Sequence, residues 1–162
     1  MERPLVIMTP KSLLRLPAAS SSIDALSNSG FQPLIDDAEI SNREAVKRVV
    51  MCSGKVYYDL AEARRKTEDR RVAIVRLEQF YPFPLQAIRE MLSRYANTNE
   101  LIWAQEEPQN MGAWRALRHR LEEATPNVPL SYVGRPWRAS PSEGYPTSHL
   151  REQDRIVREA LA

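Results

Sequence analysis

Short apolar runs alternate with amphipathic helical patterns from residue 48 onward, and this alternation restricts the fold more than any other feature. The runs cover residues 48–52, 71–77, 100–104 and 130–133, and they are rich in β-branched or aromatic side chains. Such continuous apolarity is typical of strands in a parallel sheet that is covered on both sides. A fifth run, LVIM at 5–8, has the same character and is also expected to form a buried strand.

Helical periodicity fills the intervals between these runs, with apolar residues spaced three and four apart. The helical patterns cover residues 55–67, 84–95, 111–124 and 147–161. Strands that alternate with helices imply right-handed crossovers and parallel pairing. The sequence therefore predicts an α/β fold of three layers, α/β/α, around a mostly parallel sheet of about five strands.

Residues 17–47 interrupt this regularity. They are rich in Ser, Asp and Asn, and their apolar periodicity is weak. We interpret them as a linker or arm that contains one short helix. Residues 48–162 are then the folded α/β domain.

Charge and cysteine content exclude several classes of protein. The formal net charge is +2, from 23 basic and 21 acidic residues, whereas nucleic-acid binders carry a strongly basic surface. No apolar stretch is long enough to span a membrane. Cys52 is the single cysteine, so an internal disulfide and a multi-cysteine metal site are excluded. We therefore expect an intracellular protein without a nucleic-acid or membrane partner.

Polar residues follow the predicted strands at the edge where parallel sheets bind their ligands. We call this edge the rim; the residues expected there are Ser53, Gly54, Lys55, Glu78, Gln79, Gln105, Glu106, Glu107, Gly134, Arg135 and Arg138. The rim has mixed charge. It is the first place to search for a functional site.

Glu106 and Glu107 stand together at the end of a predicted buried strand. Adjacent side chains of an extended chain point to opposite faces, so at most one of the two can face a given site. No His or Cys lies at a metal-ligand spacing from them. We expect one carboxylate to contact an Arg or to stabilise the amino end of the helix that follows near Gln109.

Other candidates for chemistry have structural alternatives. The segment CSGK at 52–55 could hold an anion on free amides and Lys55, or it could be a tight turn. Cys52 continues an apolar strand and is expected to be a buried thiol. His119 and His149 are expected to be solvated or structural. The 134–144 loop carries Arg135 and Arg138 and could bind an anion or a subunit, or pack as a surface loop.

Three segments together resemble one protein family closely. They are VIMTPKSLLR at 6–15, VRLEQFYPFP at 75–84 and WAQEEPQNMGAW at 103–114. The segments at 29–37, 49–60 and 132–145 fit the same family. The chain thus resembles the carboxyl-terminal, transketolase-type domain of the thiamine-diphosphate-dependent first component of the 2-oxoglutarate dehydrogenase complex.

The resemblance implies a function for the parent enzyme and a supporting part for this chain. The full-length enzyme of that family, called the parent below, binds thiamine diphosphate and Mg²⁺ at a dimer interface. It decarboxylates 2-oxoglutarate and transfers the succinyl group to a lipoyl-bearing succinyltransferase component. The GDG diphosphate-binding pattern of the family is absent here, so no cofactor and no catalytic residue is expected in this chain. Residues 1–16 resemble the end of the preceding pyrimidine-binding domain, so the run at 5–8 would lack its pairing partners here, and we expect residues 1–40 to be disordered in isolation or to dock non-natively.

The resemblance also suggests where partners bind. The catalytic domains of the parent and the dimer partner are expected at an interface that includes Gln105, Glu106, Glu107 and Trp114. An anionic effector, acetyl-coenzyme A or AMP, is expected at Ser53, Lys55, Arg76 and Arg135. The location would be cytoplasmic in a bacterium or the mitochondrial matrix in a eukaryote. The same domain of a 2-oxoadipate dehydrogenase, or a stand-alone α/β module that binds anions or nucleotides, remains the alternative.

Overall fold

A computed structural model describes residues 3–162 of the chain. Met1 and Glu2, which belong to the predicted tail at 1–16, lie outside the described residues. The chain divides into two compact units, one ending at Phe31 and one extending from Gln32 to Ala162. This boundary falls inside the predicted linker at 17–47.

The first unit contains only short helical segments among its described residues. They are 3-10 turns at Lys11–Arg15 and Pro17–Ala19, and helix α1 at Ile23–Asn28. The run at 5–8 does not form the expected strand, and its side chains are exposed; Leu5, for example, is 83% exposed. A strand needs a neighbour for its backbone hydrogen bonds, and no described residue of this unit supplies one.

The second unit is a five-stranded sheet in the order β1-β3-β2-β4-β5. Its strands are β1 Leu34–Ile35, β2 Arg48–Cys52, β3 Val72–Leu77, β4 Glu100–Pro108 and β5 Leu130–Arg135. Its helices are α2 Val56–Thr67, α3 Leu85–Ser93, α4 Trp114–Ala124 and α5 Pro146–Leu161, with a 3-10 turn at Arg43–Ala45. All strand pairs are parallel except β1 with β3, which confirms the predicted fold class.

Side chains of the central strands alternate between two cores. Along β2, Val49 and Met51 belong to the core under α3 and α4, whereas Val50 and Cys52 belong to the core under α2 and α5. All four are fully buried. Period-two alternation with apolar residues on both faces therefore produces the three layers.

A buried ion pair fixes the segment after β1 to the domain. The guanidinium of Arg64, on α2, contacts the carboxylate of Asp37, and the two side chains are 3% and 4% exposed. Asp37 Oδ1 lies 3.1 Å from Arg64 Nη2, and Oδ2 accepts a hydrogen bond from the N–H of Ile74 at 2.7 Å. Residues that read as a linker thus carry a central electrostatic contact of the fold.

The parallel strands β2, β3, β4 and β5 end at one edge of the sheet and form the rim there. The strand register pairs Cys52 with Arg76 and Cys52 with Ala104, so the residues that follow these positions are neighbours in space. Within residues 3–162, the helices are too short or too polar to traverse a lipid bilayer.

Candidate functional site

Lys55 and Glu106 meet on the rim. Lys55 Nζ lies 3.2 Å from Glu106 Oε1 and 3.1 Å from Asp59 Oδ2. Burial by itself would lower the pKa of the Lys55 ammonium, but Glu106 and Asp59 outweigh burial and raise that pKa. The carboxylate of Glu106 therefore contacts a cation, as expected from the sequence, but the cation is a Lys from the neighbouring strand end and not an Arg.

Gln105 organises the segment between β4 and α4. Its Oε1 accepts hydrogen bonds from Trp103 Nε1 at 2.9 Å and from the N–H of Trp114 at 3.1 Å. Its Nε2 donates to the carbonyls of Glu107, Pro108 and Met111 at 3.2, 3.2 and 2.9 Å. The side chain of Gln105, and neither of the adjacent carboxylates, satisfies the first N–H of helix α4.

Gly112 leaves room for the Gln105 amide. Its backbone has a φ of +64°, a left-handed conformation that favours glycine, and a Cβ at this position would lie 2.9 Å from Gln105 Nε2. Any larger residue would therefore be strained and would also press on the amide. This turn therefore requires the glycine of the Asn-Met-Gly sequence at 110–112.

The interface candidates Gln105, Trp114 and Glu107 differ in exposure. Gln105 and Trp114 are 4% and 7% exposed, because the domain's own residues cover them, so they could influence an interface only through the segment they hold. The side chain of Glu107 is exposed, and among the described residues nothing pairs with its carboxylate. Glu107 is thus the interface candidate that is open to a partner.

Arg135 is enclosed and not open to solvent. It is 3% exposed; its Nε lies 3.1 Å from Glu143 Oε1, its Nη2 lies 3.2 Å from His149 Nδ1, and its Nη1 donates to the carbonyl of Glu106. These contacts hold the 134–144 loop against the end of β4. At Arg135 the loop therefore packs against its own domain, and this residue does not present an open site for an anion or a subunit.

Arg76 occupies the end of β3 with an incomplete set of partners. Its guanidinium carbon lies 4.5 Å from the centroid of the Tyr57 ring, Nη1 lies 3.4 Å from Tyr58 Oη, and Nε lies 3.7 Å from Glu78 Oε1. The Nε atom is buried and has no hydrogen-bond partner among the described residues. Because Ser53 follows Cys52, which pairs with Arg76, Ser53 and Arg76 are neighbours on the rim.

Cys52 and the two histidines were candidates for a nucleophile or a metal site. Burial raises the pKa of the Cys52 thiol well above its usual value, so the reactive thiolate is disfavoured. His119 and His149 are both exposed. Across residues 3–162, no group of three or more His, Cys, Asp or Glu side chains could hold a metal ion.

A cavity of about 360 Å³ opens on the rim beside Gln105. Its lining residues are Ser53, Gly54, Phe80, Trp103, Gln105, Glu107, Gly112, Ala113 and Ala116. Phe80 is 42% exposed, and its ring packs edge-on to Trp103 with the centroids 6.2 Å apart. Our sequence reasoning missed Phe80 as a rim residue, although the aromatic FYPF at 80–83 directly after a predicted strand was an available signal.

These features define a class of protein: a three-layer α/β domain with a polar rim and no assembled catalytic set among its described residues. A solved structure described as "Split gene transketolase, inactive beta4 tetramer" has the same fold. The TM-score is 0.53 at 16% sequence identity, over 83% of this chain and 43% of that chain. At this identity the likeness shows the fold alone.

The family follows from the sequence comparisons. A family model described as "2-oxoglutarate dehydrogenase C-terminal" matches residues 20–161, and the chain belongs to this family. Proteins named 2-oxoglutarate dehydrogenase E1 component are 49% identical in Exiguobacterium sp., 49% in Haemophilus influenzae and 47% in Bacillus subtilis. These matches cover 98–100% of this chain but only 17% of each relative. The resemblance inferred from the six segments is thereby confirmed.

Proposed function

We propose that this chain acts as the carboxyl-terminal, non-catalytic domain of a thiamine-diphosphate-dependent 2-oxoglutarate dehydrogenase and supports dimer assembly. The near-50% identity to E1 components and the 17% share of their length support a part of a larger enzyme. The decarboxylation of 2-oxoglutarate and the transfer to a lipoyl-bearing succinyltransferase would be carried out by the whole parent, in the cytoplasm of a bacterial cell.

The described residues do not fit the parent's cofactor. A diphosphate held through Mg²⁺ needs oxygen ligands grouped around the metal, and residues 3–162 contain no group of acidic or His side chains that could hold one. The GDG pattern is also absent from the sequence. We therefore assign thiamine diphosphate and Mg²⁺ to the portions of the parent outside this chain.

One observation carries the assembly proposal: an exposed carboxylate stands on a rigidly held strand end. Gln105 fixes the backbone at Glu107 through its 3.2 Å contact with the Glu107 carbonyl. Tyr132 Oη holds the same carbonyl from β5 at 3.0 Å. Because the backbone that carries this carboxylate is already held, only the freedom of the Glu107 side chain is lost when it meets a partner, which favours Glu107 as a contact with the catalytic domains or the second subunit.

Glu107→Gln in the full-length parent should weaken assembly more than chemistry. We expect the dimer dissociation constant to rise by about tenfold, as for loss of one charge pair at an interface, while the turnover of the intact dimer stays within about twofold. Sedimentation velocity and single-turnover decarboxylation measure the two quantities. Asp154→Asn, which removes an exposed carboxylate on α5, is the matched control.

Two outcomes would contradict the assembly proposal. One is a selective loss of decarboxylation with the dimer intact in Glu107→Gln. The other is turnover of 2-oxoglutarate by the 162-residue chain itself with added thiamine diphosphate and Mg²⁺, because a non-catalytic domain cannot perform that reaction. Glu106→Gln should raise the dimer dissociation constant less than Glu107→Gln does, since Lys55 still has Asp59 as a partner at 3.1 Å.

We also propose that Arg76, Ser53 and Lys55 take part in binding an anionic effector, acetyl-coenzyme A or AMP. The buried Nε of Arg76, which forms no hydrogen bond within the described residues and lies 3.7 Å from Glu78 Oε1, supports this proposal, because buried donors without a hydrogen bond are rare and call for an explanation. Arg135 would contribute only its positive potential, since it is 3% exposed.

Arg76→Ala should weaken the binding of the effector to the parent enzyme by about tenfold, the loss expected for one charge-assisted hydrogen bond. Isothermal calorimetry with acetyl-coenzyme A and with AMP measures the change. Arg151→Ala removes an exposed Arg from α5 and is the control. Equal affinities in the Arg76→Ala and unaltered enzymes would remove Arg76 from the site.

A further inference from the structure

A concave surface lies between helix α4 and the 134–144 loop. We name it the Trp137 cleft. It has a volume of about 300 Å³ and is lined by Gln109, Trp114, Arg115, Arg118 and Trp137. Two of the five lining residues are Arg and none is acidic, so the cleft has an excess of positive charge.

Arg115 gives the Trp137 cleft its unbalanced charge. Its guanidinium carbon lies 5.9 Å from the centroid of the Trp137 ring, and no carboxylate of the described residues pairs with it. Arg118 does pair with Glu122 at 2.8 Å, but both side chains are about half exposed or more, so that pair is weak and easily shared. The cleft can therefore accept at least one carboxylate without displacing a strong internal partner.

The neighbouring groove offers a useful contrast. It shares Gln109 with the Trp137 cleft, but its lining includes Arg155 together with Glu152 and Glu159. Arg155 Nη2 lies 2.8 Å from Glu152, and Nη1 lies 2.7 Å from Glu159. That groove is neutralised by its own side chains, whereas the Trp137 cleft is not.

Trp137 is exposed yet its backbone is held. The side chain is 67% exposed, which is unusual for the largest apolar side chain. Asn110 holds the backbone of Arg138, the residue after Trp137. Its Oδ1 accepts a hydrogen bond from the N–H of Arg138 at 3.1 Å, and its Nδ2 donates one to the Arg138 carbonyl at 2.8 Å. Because the backbone next to the ring is held, a ligand that covers Trp137 restricts only its side-chain torsions.

We propose that the Trp137 cleft binds an acidic, extended segment of a partner protein. A carboxylate of the segment pairs with Arg115, where planar, bidentate geometry is available. An aliphatic side chain next to that carboxylate covers the face of Trp137. Trp and Arg are enriched among the few residues that dominate the binding energy of protein interfaces, and the charge excess selects an acidic partner. The proposal does not depend on the enzymatic identity of the parent.

The test uses a short peptide as the probe. The acetylated and amidated pentapeptide Glu-Leu-Glu-Leu-Glu is titrated into the ¹⁵N-labelled chain, with Gln-Leu-Gln-Leu-Gln as the uncharged analogue. The indole N–H resonance of Trp137, assigned by its loss in Trp137→Phe, should move on addition of the acidic peptide. The resonance of Trp103, which is 1% exposed, should stay in place. The uncharged peptide should bind at least about tenfold more weakly.

Two variants separate a specific site from general attraction between charges. Arg115→Ala should lower the affinity of the chain for the acidic peptide by about tenfold. Arg120→Ala removes the same charge from the same helix, but Arg120 faces a different pocket beside Tyr81 and Phe83, so affinity should stay within about twofold. An equal loss in the two variants would overturn the proposal. So would an unmoved Trp137 resonance, or inorganic phosphate or AMP shifting it at lower concentration than the peptide does.

Discussion

Asp37→Ala is expected to lower the free energy of unfolding of the α/β unit by about 3 kcal/mol, the lower end of the cost of breaking a buried ion pair, because Arg64 keeps Glu39 as a partner at 3.1 Å. Arg64 is 3% exposed and Glu39 is 32% exposed, so neither water nor the remaining carboxylate fully replaces Asp37. The backbone N–H of Ile74 also loses its 2.7 Å acceptor. Urea denaturation followed by far-ultraviolet circular dichroism measures the change.

A second variant tests whether the loss of the buried carboxylate beside Arg64 is the cause. Replacing both partners, Asp37→Leu with Arg64→Met, should restore at least about half of the lost stability, because apolar pairs of similar volume often replace buried ion pairs without loss. Glu62→Ala removes a carboxylate whose partner is Lys66 and whose side chain is 66% exposed; no measurable change is expected. If the double variant is no more stable than Asp37→Ala, the explanation by the under-compensated charge of Arg64 is wrong.

The layers of this fold follow from local patterns, whereas the Asp37 contact does not. Val49 and Met51 face one core and Val50 and Cys52 the other, and the apolar run at 48–52 contains this information. Strand β1 has only two residues, too few for a periodic signal. It is also held partly by Asp37, which contacts Arg64 27 positions further along the chain. A segment stabilised by such distant groups looks like a linker in the sequence.

The run at 5–8 shows the opposite case, because its pattern alone predicts a strand whereas the family resemblance predicts a segment without its pairing partners. Its apolar and β-branched side chains predict a strand, but strands form only where another strand accepts their hydrogen bonds. Leu5, Val6, Ile7 and Met8 are all at least 73% exposed. Composition indicates what a segment can form; the presence of a neighbouring strand decides whether it does.

The rim was predicted in outline and not in its connections. Parallel pairing of β2 with β4 brings Lys55 near Glu106, although 51 positions separate them, because the residues that follow paired strands share one edge. The part played by Gln105 could not be predicted this way. Its amide contacts backbone groups as far away as Trp114, and those contacts exist only once the turn at Gly112 has formed. Sequence patterns predict faces of elements better than hydrogen bonds across irregular turns.

Gln105→Leu is expected to lower the free energy of unfolding by about 3–5 kcal/mol, since each buried polar group left without a partner costs about 1–3 kcal/mol and the turn can relax only in part. The indole N–H of Trp103 and the first N–H of α4 both lose their acceptor, Gln105 Oε1. The carbonyl of Met111 loses its donor, Gln105 Nε2, whereas the carbonyl of Pro108 keeps the N–H of Met111 at 2.8 Å. Leu has nearly the volume of Gln, so the effect reports hydrogen bonding and not a cavity.

Gln109→Leu provides the matched control, because Gln109 is half-buried on the same segment and its side chain forms no hydrogen bond within the described residues. Its unfolding free energy should change by less than about 0.5 kcal/mol. Hydrogen exchange at the amide of Trp114 should accelerate in Gln105→Leu, since the N–H of Trp114 is then unprotected, and stay slow in Gln109→Leu. Unchanged protection of Trp114 in Gln105→Leu would show that Gln105 does not hold the start of α4, and the rigid support inferred for Glu107 would be lost with it.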